Sequence, residues 1–252
     1  MKTIWDFSPE HEAKRLTHTA HQIAVGFYRA NHFTVLPYGH PQTSFYTVLF
    51  PDLAYQKILR FWEKAKKTNV RKFPINPNSN FLKEVKTLLQ TASMGVPKYE
   101  KTKEKWEIIQ EKVLAEIVNI FPNFKNQIEK IIIHPTKFGT TVSFSLGVGK
   151  KSAVEMYLRE DANTYEIVEA ILTHLTRNIV YSKYDGLWQE SELLVDFLIG
   201  ETNLTKIIKE VESEKYIPTT KIVRTKQSAK LLKESEEFLK KLGLPRELQL
   251  KA

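Results

Sequence analysis

His18 and His21 stand three residues apart in a segment of helical pattern, and His11 stands two turns before His18. Imidazoles at i and i+3 can share a metal ion if a carboxylate such as Glu12 completes the shell. No full ligand set closes within that segment. His32 and His40 belong to a second region of interest, FTVLPYGHPQTSFY, where aromatics alternate with Pro37, Gly39 and Pro41. Binding residues concentrate on connections of this kind, and the same composition also makes a stiff crossing between two strands. Gly147-Val148-Gly149-Lys150-Lys151 invites comparison with a phosphate-cradling loop. That loop needs four residues between its first glycine and a Gly-Lys pair that opens a helix; here a strand-like run follows, and a hairpin turn is the better account. Ser143, Ser145 and Ser152 lack the Gly-x-Ser-x-Gly elbow of a serine hydrolase. The chain contains no cysteine, which removes disulfides, thiolate metal sites and cysteine nucleophiles.

Residues 128–199 read IEKIIIHPTKFGTTVSFSL, then VEMYLREDANTYEIVEAILTHLTRN, then WQESELLVDFL. In the order strand, strand, helix, helix, this stretch resembles the core of the zincin-type metallopeptidases, especially those whose third metal ligand is a glutamate. In that family one strand lies along the substrate cleft, the next helix carries His-Glu-x-x-His, and a later helix supplies a Glu with an acidic residue four positions on. Two histidines at i and i+4 share a helix face and reach one zinc ion. The intervening Glu takes a proton from the water that zinc has acidified. The resemblance places His174 at the first histidine, Leu175 at the catalytic base and Asn178 at the second histidine, with Glu192 and Asp196 as the later acidic pair. Leucine accepts no proton, and an amide carbonyl is a poor zinc ligand beside imidazole. The resemblance therefore implies a degenerate site with remnant positions His174, Asn178, Glu192 and Asp196, no catalytic residues, no required cofactor, and zinc as the metal to test.

These residues must be positioned by elements that the pattern already marks. Ser8-Pro9 opens a helix expected to run to about Ala30. His32–Tyr38 and Thr43–Phe50 read as strands, Asp52 precedes a helix of some sixteen residues, and another helix lies near Phe81–Ala92. A long amphipathic helix follows, with Trp106, Ile109, Val113, Ile117 and Ile120 as its stripe and its end near Phe121-Pro122. Three β-rich segments come next, at 128–134, 140–146 and 154–159, with Arg159, Glu160 and Asp161 expected to cap the helix beginning near Asn163 or Thr164. That helix runs to about Tyr181. Helices are also expected over 188–199, 202–211 and 227–242. On the wheel, Val168, Ile171, Leu172, Leu175 and Ile179 form a buried stripe, with His174 and Asn178 on its flank. Without sustained βαβα alternation, the expected class is α+β: a small mixed or antiparallel sheet flanked by helices, with a C-terminal helical arm. The expected organisation is an N-terminal α+β region over 1–95, a zincin-like core over 101–211 and a basic arm over 216–252.

With 252 residues, 42% hydrophobic and 27% charged, disorder is excluded and one or two globular units are expected. No run approaches 18 apolar residues, so no membrane span is expected. Asp6, Glu10 and Glu12 occupy the opening where a secretory signal is apolar, and a cytoplasmic location is the expectation. Of the formal charge of +9, residues 215–252 carry +6, from ten Lys/Arg against four Glu. The density peaks at Lys221, Arg224, Lys226 and Lys230, the candidate surface for a nucleic acid or an acidic protein partner. A solvated helix face is the plainer account of the same charges. The expected function is thus that of a non-catalytic protein acting by binding; the alternative is a nucleic-acid or acidic-partner binder working through the arm.

Overall fold

A computed structural model describes residues 2–41, 46–52, 55–69, 79–91, 95–122, 128–144, 152–185 and 188–213. The chain opens with a short strand, β1 (Lys2–Trp5), that sequence pattern did not suggest. Ser8 then caps α1 (Pro9–Ala24), its hydroxyl accepting from the His11 N–H at 3.1 Å, with Pro9 starting the helix and Glu10 and Glu12 at its positive end. The helix does not continue to Ala30 as expected. Gly26 takes a left-handed φ of 78° and breaks it, so Phe27–Ala30 forms a separate turn, α2. Strands β2 (Thr34–Pro37) and β3 (Thr47–Phe50) pair in parallel, and helices α3 (Tyr55–Lys67), α4 (Asn80–Thr91) and α5 (Glu100–Ile120) follow.

Strands β4 (Ile128–Thr136), β5 (Val142–Phe144) and β6 (Ser152–Arg159) come next, then helices α6 (Thr164–Tyr184), α7 (Trp188–Glu201) and α8 (Leu204–Lys209). The main sheet has the order β1-β4-β6-β5. β1 and β6 both run parallel to β4, and β5 closes the far edge antiparallel to β6. The class is therefore α+β with a small mixed sheet flanked by helices. The central pair, β4 and β6, is parallel because β5 lies outside β6 and not between the two, and β1 joins from the N-terminal region as a parallel edge strand. No described helix is long and apolar enough to cross a membrane.

Two apolar cores result. The larger packs the α5 stripe, with Trp106, Ile109, Val113 and Ile117 fully buried, against β4, β6, α6, α7 and α8. The smaller joins Leu16 and Ala20 of α1 to Phe50, Phe61, Phe81 and Leu82, and receives Phe138 from the turn after β4. The sequence division at 94–102 falls between the helices of these cores, yet β1 and Phe138 each cross it. Buried arginines make the seam. Arg15 donates to the carbonyl of Phe138 at 3.3 Å and to Thr140 Oγ1 at 2.9 Å. Arg159 donates to the carbonyls of Thr47 (2.6 Å) and Gly139 (2.8 Å) and forks onto Asp161. The expected caps on α6 are thereby committed elsewhere: Arg159 and Asp161 to each other, and Glu160 to the Tyr38 hydroxyl. Asn163 caps α6 instead, in a reciprocal box with Glu166.

Candidate functional site

Helix α6 presents the segment that the zincin resemblance singled out. Val168, Ile171 and Leu172 are fully buried and Leu175 nearly so, as the wheel requires. His174 lies half-buried on the flank and Asn178 is exposed. Helix α7 packs against α6, burying Leu194, Val195, Phe197 and Leu198. Its two candidate acids, Glu192 and Asp196, are each held by α6. Arg177, one residue before Asn178, forms an ion pair with Glu192 while its Nε donates to Ser191 Oγ at 3.2 Å. About one turn along α7 from Glu192, Asp196 Oδ1 accepts from the Tyr165 hydroxyl at 2.6 Å.

The α6–α7 interface is rich in ionisable groups that water scarcely reaches. Burial, and then the neighbouring Asp196, pushes the Glu169 carboxyl well above the usual range, with Arg177 opposing. Asp196 is raised by burial too, and the Tyr165 hydrogen bond offsets part of that. Burial and the same acids push the Tyr165 phenol upward. Glu166 reaches about 8, mainly through burial, although its carboxylate accepts the Asn163 N–H at 2.9 Å. Two carboxyl groups this close in a dry setting favour holding a proton.

The fit of this set to zinc can be tested directly. Glu192 faces the Arg177 guanidinium and Asp196 the Tyr165 phenol, not a shared point with His174. Leu175 lies in the core and Asn178 faces solvent. His174, Glu192 and Asp196 do not gather as a ligand group: among the described residues, the one group of three histidine or carboxylate side chains with ligand atoms within 4.8 Å of one another is Asp6, His11 and His134. The α6–α7 residues do not fit the metal that the resemblance implies.

That other cluster was not legible in the sequence. His11 had been set beside His18 and His21, but the three part company. His21 Nδ1 faces the Ala65 carbonyl at 3.0 Å. His18 is kept neutral by burial and then by Arg15, which take its pKa down to about 3. His11 turns to the β4 strand instead, its ring 3.8 Å from that of His134, with Asp6 Oδ2 3.6 Å from its Nδ1. Burial, and then the charge on His134, hold His11 below the ordinary imidazole value. The signal that could have found the site is the KTIW strand, because its pairing with β4 brings residue 6 beside residue 134.

Of the remaining candidates, Lys221, Arg224, Lys226 and Lys230 lie outside the described residues, as do Gly147–Lys151 and Ser145. His32 adopts a left-handed φ of 61° in the tight turn between α2 and β2. His40 follows the Pro37 turn, its N–H bonded to the Pro37 carbonyl at 3.2 Å. Comparison with family models, curated proteins and solved structures gives no match.

Proposed function

We propose that the protein is a zincin-like chain without peptidase chemistry that acts by binding, its former metal-bearing helix pair rebuilt as an internal strut. The observation that carries this reading is the Arg177–Glu192 pair. It sets a cation of the chain itself against the acid that the resemblance would give to zinc. The order of elements supports the ancestry: an antiparallel edge strand, β5, then β6, then α6 with HLTRN, then α7 with its two acids. Tyr165 on Asp196 and Leu175 in the core complete the exchange, replacing an open ligand set by side chains that satisfy one another. A buried pair of this kind fixes which helix faces meet which, without adding much net stability.

The test is a peptide-hydrolysis assay with zinc present, run on the wild type and on His174→Ala. Neither protein is expected to cleave above background. Cleavage by the wild type that disappears in His174→Ala would overturn the reading.

A second reading rests on the charge of the last segment. Ten Lys/Arg against four Glu in residues 215–252 is the density that counterion release exploits on a polyanion. In the full-length chain, replacing Lys221, Arg224, Lys226 and Lys230 by Glu would then abolish binding to a single-stranded oligonucleotide, and the wild-type affinity would fall steeply with salt. Unchanged, salt-insensitive affinity in that variant would remove it.

A further inference from the structure

We propose that Asp6, His11 and His134 bind one transition-metal ion of the zinc class, at a site separate from the α6–α7 helices. Three elements converge to make it. Past the end of β1, the Asp6 N–H still donates to the Ile133 carbonyl at 2.9 Å, so the strand ladder places Asp6 next to His134. The Ser8 cap then turns the chain into α1 and lays His11, in its first turn, over the same point. His134 is buried near the end of β4, while Asp6 is half exposed, so the cluster opens to solvent on the carboxylate side.

The distances suit a shell that has yet to close. Asp6 Oδ2 lies 3.6 Å from His11 Nδ1 and 3.8 Å from His134 Nδ1. Ligand atoms around tetrahedral zinc stand about 3.4 Å apart for bonds of about 2.1 Å. A small rotation of the half-exposed Asp6 side chain is the movement that would close that gap. His11 Nδ1 is a buried nitrogen with no hydrogen-bond partner, a costly state that an ion would relieve. The two imidazoles are borderline donors, and beside a single carboxylate they select zinc, cobalt or nickel over calcium or magnesium. Three protein ligands leave a fourth position open.

The surroundings of His134 complete the argument. Its Nε2 lies 3.0 Å from Glu155 Oε1 on the neighbouring strand β6, and its Nδ1 lies 2.8 Å from the Asp6 carbonyl. The Asp6 carbonyl can only accept, so Nδ1 is the nitrogen that donates to it when no metal is bound. On binding, the ion replaces the Nδ1 proton, the bond to the Asp6 carbonyl is given up, and the ring carries its hydrogen on Nε2. Glu155 accepts that hydrogen and holds the ring in position, the carboxylate–histidine–metal arrangement common to such centres. Glu155 is a positioning residue here, and Asp6, His11 and His134 are the ligands.

Untagged full-length protein, stripped with a chelator and titrated with zinc by calorimetry, is expected to bind one ion per chain. Asp6→Asn and His11→Gln, both at half-exposed positions and checked for native circular dichroism, are each expected to weaken binding at least about tenfold. Glu155→Gln is expected to weaken it by a similar factor, and cobalt(II) to give the intense visible bands of a four-coordinate nitrogen–oxygen site. His174→Ala is expected to bind zinc as the wild type does. Absence of zinc binding by the wild type, or wild-type affinity in both Asp6→Asn and His11→Gln, would overturn the site. Peptide cleavage would bear on the preceding reading alone and leave this one standing.

Discussion

The guanidinium of Arg15 lies flat against the α-carbon of Gly139, held by the carbonyl of Phe138 on one side and Thr140 on the other. Gly139 has a left-handed φ of 87° and exchanges two backbone hydrogen bonds with Leu49, at 2.8 and 3.0 Å. A β-carbon there would strike the guanidinium itself, so the residue is glycine for two independent reasons. Gly139→Ala is expected to destabilise the protein by at least about 2 kcal/mol, because it strains the backbone and dislodges a buried cation from its acceptors. Urea unfolding measures this, and a loss below about 0.5 kcal/mol would contradict the packing described.

Arg177→Met should cost about 1–3 kcal/mol, since it leaves the partly buried Glu192 carboxylate without its cation and Ser191 without its donor. The double variant Arg177→Met/Glu192→Leu should recover much of that loss. A double-mutant cycle from urea melts checks the coupling; strict additivity would mean that the two side chains do not interact.

Placing an acid at the motif position of the zincin resemblance by Leu175→Glu is expected to unfold rather than activate. Leu175 is 8% exposed and packs within the larger core, so a carboxyl there costs at least about 3 kcal/mol. A melting temperature close to that of the wild type would show that this face of α6 is wetter than its packing indicates.

Glu166 should make stability fall as the pH rises from about 5 to 8. Below about 6.5 this is offset by His18, whose depressed folded pKa acts in the opposite sense, so the net fall is clearest from about 6.5 to 8. The folded Glu166 holds its proton up to about 8, whereas the unfolded chain releases it around 4.5. Between those values the native state binds more protons than the unfolded state, so raising the pH favours unfolding, by at most about 1.4 kcal/mol per unit for one such group. The loss levels off above the folded value. Glu12, raised to about 7 chiefly by burial, adds to the trend over its own narrower window. Glu166→Gln retains an oxygen for the Asn163 N–H and should flatten the slope, as thermal melts from pH 5 to 8 would reveal. An unchanged slope would assign the dependence to other groups.

Local chemistry was the legible part of this chain. Ser8-Pro9 marked the start of α1, and the 106–120 stripe marked a helix whose every stripe residue is buried, because both signals act within a few residues. The strands at 128–136 and 152–159 were visible for the same reason. Gly26 was misjudged because one glycine inside a helical pattern is often tolerated, and here its left-handed turn prevailed. β1 was missed because four residues have no periodicity to read, and its partner lies well over a hundred positions away. The acids of α7 were visible as residues but not as pairs: nothing in the spacing of HLTRN and ESELLVD announces that Arg177 and Tyr165 will reach them. His134 escaped notice altogether, because its meaning arises only when β1 is laid beside β4.

The four residues of β1 occupy the outer flank of a nine-residue strand whose other side is taken by β6. Were they to peel away, β4 would offer a run of bare amides and carbonyls, flanked by Ile131 and Ile133, to any extended peptide nearby. β1 thus ends as a guard against chains zipping together, and it can take up that post only after residue 136 has been synthesised.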